Sequence, residues 1–269
     1  MDLKPSRPEM RSTPLRRTLL AAAAAAALVL TGAFAAPTGA DAMTVQPVVI
    51  DLQTQGRAMS QVITVENTFA NPLPVELRIE ELTFDDNGLV GTGHGSDDIL
   101  VFPPQALIQP GQTQTFRIQY VGDPALARSR HFYVTVAQLP VQLPQGQSAI
   151  QILYNFQVLV SIAPAGATPN LAITAATVGH NAEGHPVPML TLTNDSPAHG
   201  YLSQGRLRIV EKDASGREIF RRILPGPEIQ QTIGFGLVGA GQTRRVAIPV
   251  ELPSEGGTVE AQFTPESRR

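Results

Sequence analysis

Residues 149–162 read AIQILYNFQVLVSI. Every second residue is apolar: Ile150, Ile152, Tyr154, Phe156, Val158, Val160 and Ile162. The intervening positions, Ala149, Gln151, Leu153, Asn155, Gln157, Leu159 and Ser161, are mixed. Successive side chains of a β-strand point to opposite faces, so the pattern predicts a strand with one continuous apolar face. Strands average about 5–6 residues and seldom exceed about 10, so this one is long. Its apolar face is either wholly internal, as in a closing strand of a sandwich, or shared with a second chain. An unpaired edge this apolar invites aggregation unless something covers it.

Immediately before it, VQLPQGQS (141–148) is polar and rich in turn formers, as expected where a strand projects past its sheet. Further upstream, short alternating segments recur about every ten residues. They are TVQPVVIDL (44–52), SQVITVEN (60–67), LPVELRIEELTF (73–84), DILVFP (98–103), TQTFRIQYVG (113–122) and RHFYVTVAQLP (130–140). DDNG (85–88) and QPGQ (109–112) are turns between them, and Pro103-Pro104 stops the short strand before it. Seven strands with regular turn signals and no helical period predict an immunoglobulin-like sandwich. PAGATPN (164–170) has linker composition. Beyond it the pattern restarts at 171–174, 188–194, 201–212, 218–223, 243–252 and 258–264, with turns at DASG (213–216) and GAGQ (239–242). AHGY (198–201) reads as a loop. The fold expected is all-β: two immunoglobulin-like sandwiches, 43–165 and a smaller 166–269, joined by a short linker.

Residues 1–42 stand apart. Lys4, Arg7, Arg11, Arg16 and Arg17 precede the apolar run TLLAAAAAAALVLTG, and ADA (40–42) offers a small-residue cleavage site before Met43. AFA (33–35) is an alternative site. This is the pattern of a cleaved bacterial secretory signal, with an apolar core shorter than the roughly 20 residues a spanning helix needs. It predicts an exported, periplasmic protein without stable membrane insertion after cleavage. Of the 269 residues, 20 are basic and 23 acidic; loss of the leader leaves 15 against 20, a formal charge of −5. That balance argues against a nucleic-acid partner, which needs clustered Lys and Arg. The chain has no cysteine and no tryptophan, so each core rests on packing of Val, Ile and Leu without disulfides.

Several segments together resemble the PapD-like periplasmic chaperones of the chaperone–usher pilus pathway. They are VEN (65–67), PPQALIQPGQTQTFRIQY (103–120), SRHFYVTVAQLP (129–140) and ILYNFQVLVSIAPAG (152–166), in that order behind a secretory signal. The resemblance is strong over 44–166 and weak after 170. It implies a chaperone that binds pilus or fimbrial subunits, lends them its long strand, and delivers them to an outer-membrane usher. Carried onto this chain, the donor residues are Ile150, Ile152 and Tyr154, with Phe156 next on the same face; Val158, Val160 and Ile162 would pack in the chaperone's own core. The best-known members also hold the subunit's terminal carboxylate with an Arg in the first strand and a Lys late in the long strand. Here TVQPVVIDL has no basic residue, Leu159 falls at or near the Lys position, and Ala163 stands where a basic residue often bridges the domains. Arg57, Arg128 and Arg130 are the candidate replacements, with ordinary exposed charges as the competing reading. The other functional class considered is a structural fibre or adhesin-like subunit built from two sandwiches. Such a subunit would carry an N-terminal donor extension and a gap in its own fold, whereas 43–52 reads as an ordinary first strand.

Catalytic and metal signatures are missing from the sequence. His94, His131, His180, His185 and His199 show no metal-ligand spacing, and DDNG opens like a calcium loop but has Ser96 at the twelfth position. There is no GxSxG, P-loop or dinucleotide fingerprint. The expectation is a non-enzymatic protein with no cofactor and no metal.

Overall fold

A computed structural model describes residues 43–85, 88–140 and 152–266. The leader expected at 1–42, the loop at 141–148 and the donor candidate Ile150 lie outside them.

Among the described residues the first sandwich contains ten strands: β1 (Met43–Gln46), β2 (Val49–Gln53), β3 (Ser60–Asn67), β4 (Leu73–Asp85), β5 (Gly88–Gly91), β6 (Ile99–Phe102), β7 (Gln105–Ile108), β8 (Thr113–Tyr120), β9 (Arg130–Gln138) and β10 (Asn155–Ala163). One sheet runs β1-β3-β8-β6 and the other β2-β10-β9-β4-β5, with β7 also on β4. The alternation that predicted strands sorts inside from outside. In β8, Phe116, Ile118 and Tyr120 are buried while Thr113, Thr115 and Arg117 are exposed. Ile50, Leu52, Ile63, Val65, Val134, Val136, Val158, Val160 and Ile162 complete the centre of this core, each 0 % exposed.

The segment expected as one strand over 44–52 is two. Pro47, without an N–H to donate, interrupts the ladder, and the chain passes from one sheet to the other. β1 pairs antiparallel with β3, and β2 pairs parallel with β10 in the register Val49↔Leu159, Asp51↔Ser161. Pro103-Pro104 does end β6, but the chain resumes at once as β7, which the sequence pattern did not reveal.

The second sandwich holds β11 (Leu171–His180), β12 (Pro186–Asn194), β13 (Gly200–Tyr201), β14 (Gly205–Lys212), β15 (Glu218–Leu224), helix α1 (Gly226–Ile233), β16 (Leu237–Val238), β17 (Gln242–Ala247) and β18 (Thr258–Pro265). Its sheets run β11-β12-β17 and β15-β14-β18, with β13 and β16 as a small pair. Leu190, Leu192, Leu202, Leu207, Ile209, Ile229 and Val238 form its core. Helix α1 was not anticipated. Pro227 suits its first turn, Ile229 is buried on its inner face, and Gly234, at φ +73°, ends it. No helix among the described residues is long and apolar enough to cross a membrane.

Each sandwich has a buried asparagine at the end of a strand. Asn67 donates from Nδ2 to Ile108 O and Asn71 O, both at 2.9 Å, and accepts from the Phe69 N–H at 2.9 Å. Asn194 donates to Ala198 O, Val238 O and Gly239 O at 2.7–3.2 Å. A short amide side chain supplies a donor and an acceptor where the irregular backbone leaves groups without ladder partners. Asn67→Ala strands three backbone groups at a fully buried site, and we expect a loss of about 3 kcal/mol in urea unfolding. Gln114→Ala on the neighbouring strand, half-buried and with its one side-chain bond exposed to solvent, should change stability by less than about 0.5 kcal/mol.

Candidate functional site

Exposure rises along the apolar face of β10 towards its N-terminus. Val158, Val160 and Ile162 are fully buried, and Phe156 is partly buried against the same core. Tyr154 is 39 % exposed and Ile152 70 %. The face therefore continues past the point where the sandwich's own core ends. Residues 152–154 precede the regular strand. Three contacts tie them to β9 and its surroundings: Gln138 N–H donates to Tyr154 O at 2.9 Å, Tyr154 N–H donates to Gln138 Oε1 at 3.2 Å, and the Tyr154 ring lies 5.8 Å from that of Phe69.

The backbone edge is open over the same stretch. On one side β10 pairs with β9 from Asn155 to Ile162. On the other, β2 pairs only from Leu159 onward, and the Leu159 N–H donates to Val48 O at 3.0 Å. Backbone groups alternate in direction along a strand, so Asn155 and Gln157 point the same way as Leu159, beyond the end of β2. Among the described residues no strand meets them there. An apolar face and an unpaired edge thus coincide at residues 152–157.

The candidate anchors are held by different neighbours. Arg57 lies in a 3-10 turn, Gly56–Met59, after β2, and is exposed. Arg128 is exposed and its guanidinium lies against Gly241, where a Cβ would stand 2.9 Å from Nη1. Arg130 pairs with Glu81 at 2.6 Å and with Asp98, and stacks 5.3 Å from the centre of the Phe132 ring. Partial burial pulls its pKa down, but Glu81 and Asp98 outweigh that and hold it above the ordinary value. Arg130 is thereby committed within the first sandwich. Leu159 stands beside Val49 and Tyr133 in register, with no basic residue on either.

At the C-terminal end of β10 the two sandwiches meet through a polar cluster. His199 Nε2 lies 3.0 Å from Asp51 Oδ1, and the Tyr201 hydroxyl donates to the same oxygen at 2.8 Å. Tyr201 Oη is also 3.2 Å from Ser161 Oγ, which lies 2.8 Å from His131 Nδ1. Ser129 Oγ accepts the His199 backbone N–H at 2.9 Å and lies 3.0 Å from His199 Nδ1. The Ser129 N–H donates to Pro197 O at 3.0 Å. These residues carried little signal in the sequence. His131 and His199 were weighed only as metal ligands, and AHGY only as a loop. A lone Asp51 within VVIDL was the one available hint, since a charge on an otherwise apolar strand needs a partner.

Residues 42–168 match the family described as the pili and flagellar-assembly chaperone, PapD N-terminal domain. The first sandwich is thus a PapD-like pilus-assembly chaperone N-terminal domain. This is a chaperone family rather than an enzyme class. Among solved structures, a chaperone–tip adhesin complex of CFA/I fimbriae biogenesis is 10 % identical over 84 % of this chain and 100 % of that one, with a TM-score of 0.49. The CsuC–CsuE chaperone–tip adhesion subunit complex of Acinetobacter baumannii is 14 % identical, covering 82 % and 97 %, with a TM-score of 0.45. The Salmonella enterica SafA pilin in complex with the SafB chaperone is 12 % identical, covering 85 % and 98 %, with a TM-score of 0.42. No curated protein sequence matches the chain.

The polar cluster predicts that the stability of the fold falls in acid. Burial, aided by the nearby His199, lowers the His131 pKa to about 3, whereas the unfolded chain titrates near 6.5. Between those values the unfolded chain takes up a proton that the folded chain refuses, so stability falls as pH drops from 6.5 towards 3. From this group alone the slope approaches about 1.4 kcal/mol per pH unit. Urea unfolding at pH 7, 6, 5 and 4 should show that decline in the wild type. In His131→Gln the slope should be shallower by up to that amount.

Proposed function

We propose that this chain is a periplasmic chaperone for pilus or fimbrial subunits that works by donating residues 150–156 as a strand, and that it hands its subunits to an outer-membrane usher. In this reading residues 1–42 are the export leader, 43–165 the subunit-binding domain and 166–269 the second sandwich. The observation that carries it is the coincidence of apolar face and open edge at 152–157, at a strand whose other half is locked into the core. A subunit lacking its last immunoglobulin strand needs both at once: alternating side chains to fill its groove and N–H and C=O groups to complete its ladder.

The energetics are of the right size. Moving Ile152, 70 % exposed, into a partner's core contributes up to roughly 1.5–3 kcal/mol, and Tyr154, 39 % exposed, contributes less. Ile150 would add a third anchor of the same kind. Phe156, already half-settled in the chaperone's own core, gains less and serves as the boundary between the two. Burial of Val158, Val160 and Ile162 anchors the strand so that its ordering is prepaid in the free protein. For the subunit's terminal carboxylate, Arg130 is occupied by two acidic partners; Arg57 and Arg128 remain the candidates.

The fibre-subunit alternative fits less well, because the first sandwich is filled by its own β10 on both β2 and β9. A subunit would leave that place open for another chain's strand.

Ile152→Asp puts a carboxylate where the subunit's groove would bury it, at a cost of several kcal/mol. Gln157→Asp places the same charge on the opposite, exposed face. With equal chaperone levels in periplasmic extracts, Ile152→Asp should cut co-purified subunit at least tenfold and Gln157→Asp much less. Equal subunit recovery with Ile152→Asp and wild type would remove the donor-strand assignment.

A further inference from the structure

The cluster where the sandwiches meet contains one feature that a purely structural contact does not need. His131 is 3 % exposed, and its Nε2 is buried without a hydrogen-bond partner among the described residues. Every other polar side-chain group of the cluster has one. The bonding directions can be assigned from the network. Asp51 Oδ1 accepts from both His199 Nε2–H and the Tyr201 hydroxyl. Tyr201 has one hydroxyl hydrogen, so Ser161 donates to Tyr201 Oη and accepts from His131 Nδ1–H. A single chain of donors then runs His131, Ser161, Tyr201, Asp51, crossing from the first sandwich to the second and back. It leaves His131 Nε2 as a buried lone pair without a protein donor among the described residues.

Two neighbours decide what a proton there would do. The His131 ring stands edge-on to the Phe84 ring at 5.2 Å on one side and to the His199 ring at 5.3 Å on the other. From β2, Asp51 favours the proton; from the loop before β13, His199 opposes it. Arg130, next in sequence, is turned to Glu81 and Asp98. Tyr201, from β13, reaches His131 only through Ser161. His199 Nε2 faces the Asp51 carboxylate at 3.0 Å. A positive charge on His131 has no such partner at Nε2 among the described residues while the interface is closed. Once His199 moves away, its opposition to a proton there is lost.

We propose that this cluster is an acid-operated latch between the two sandwiches, in which proton uptake at His131 Nε2 frees His199 and Tyr201 from Asp51 and Ser161 and lets the domains part. The step is a simple proton gain by the open form, with no other co-reactant. Below the ordinary histidine pKa the open form becomes favoured by up to tenfold per pH unit. The consequence is a chaperone whose two domains are rigidly set at neutral pH and loosened in acid. This inference is independent of how the subunit is bound.

Two amides report the opening directly, because their bonds cross the interface: Ser129 N–H to Pro197 O and His199 N–H to Ser129 Oγ. Native-state hydrogen exchange of the leaderless chain, corrected for intrinsic rates, should be followed from pH 7 to pH 4. The Val134 amide, inside the ladder between β10 and β4, serves as the reporter of global unfolding. We expect protection at Ser129 and His199 to fall by up to tenfold per pH unit below about 6.5, while both amides exchange faster than Val134 throughout. In His131→Gln, which cannot titrate, their protection should be flat over the same range. If that variant fails to fold, the wild-type His131 ring 15N shift serves instead, and it should stay that of a neutral imidazole while protection falls below pH 6.5, changing only where the open form becomes the major one. The latch is overturned if the two amides exchange at the Val134 rate at every pH, if their wild-type protection is flat, if His131→Gln shows the same decline, or if the His131 ring takes up its proton near pH 6.5 while both amides stay protected.

Discussion

The whole arrangement depends on one strand serving two environments. β10 carries a single apolar face, and the first sandwich is wide enough to cover only its C-terminal half. Val158, Val160 and Ile162 fill the core, and the same face emerges through Phe156 and Tyr154 to Ile152. The backbone tells the same story at the edge, where β2 accompanies β10 only from Leu159. Because the buried half fixes register and direction, the exposed half is presented in a defined orientation rather than as a loose tail. A one-residue slip would turn the core residues to solvent, so the presentation is as strongly specified as the core itself.

The cost of this design falls at the other end of the strand. Ser161, in the buried half and opposite Asp51, faces the second sandwich rather than an apolar core. The polar groups there are satisfied by residues that arrive about forty positions later, His199 and Tyr201. Ala163 removes one way of bridging the domains by charge, and the cluster of Asp51, His199, Tyr201 and Ser161 supplies another. Such a network is geometrically exacting and sensitive to protonation, unlike a pair of permanently charged side chains. Arg130, which looked available from the sequence, is instead spent on Glu81 and Asp98 within the first domain.

Much of this was legible in the sequence, and the reasons differ by element. Period-two alternation identified β3, β4, β8, β9 and β10 because both faces of each strand have clear chemical identities. DDNG, QPGQ, DASG and GAGQ marked turns through residues with intrinsic turn geometry; Gly111, Gly216 and Gly241 indeed have φ near +70° to +80°. The split of 44–52 between sheets was hidden, since an apolar run with one proline looks like one strand from composition. β7 was missed because four residues after two prolines give no period. Helix α1 escaped because its eight residues hold only two apolar anchors, Ile229 and Ile233, within a stretch opened by Pro225 and Pro227. The polar cluster was barely legible: apart from Asp51, a charge on an apolar strand, its members are local singletons, brought together only by the docking of two domains.

Hydrogen exchange at Asn155 and Gln157 tests the central claim most directly, because these amides point to the open edge of β10. In the free chaperone they should exchange rapidly. On binding a pilus subunit, protection should rise at least a hundredfold at both, equivalent to about 2.7 kcal/mol, while Phe156 and Val158, already bonded to β9, change little. If the subunit binds and Asn155 and Gln157 continue to exchange at their free rates, the strand is not donated, and the subunit is held by some other surface.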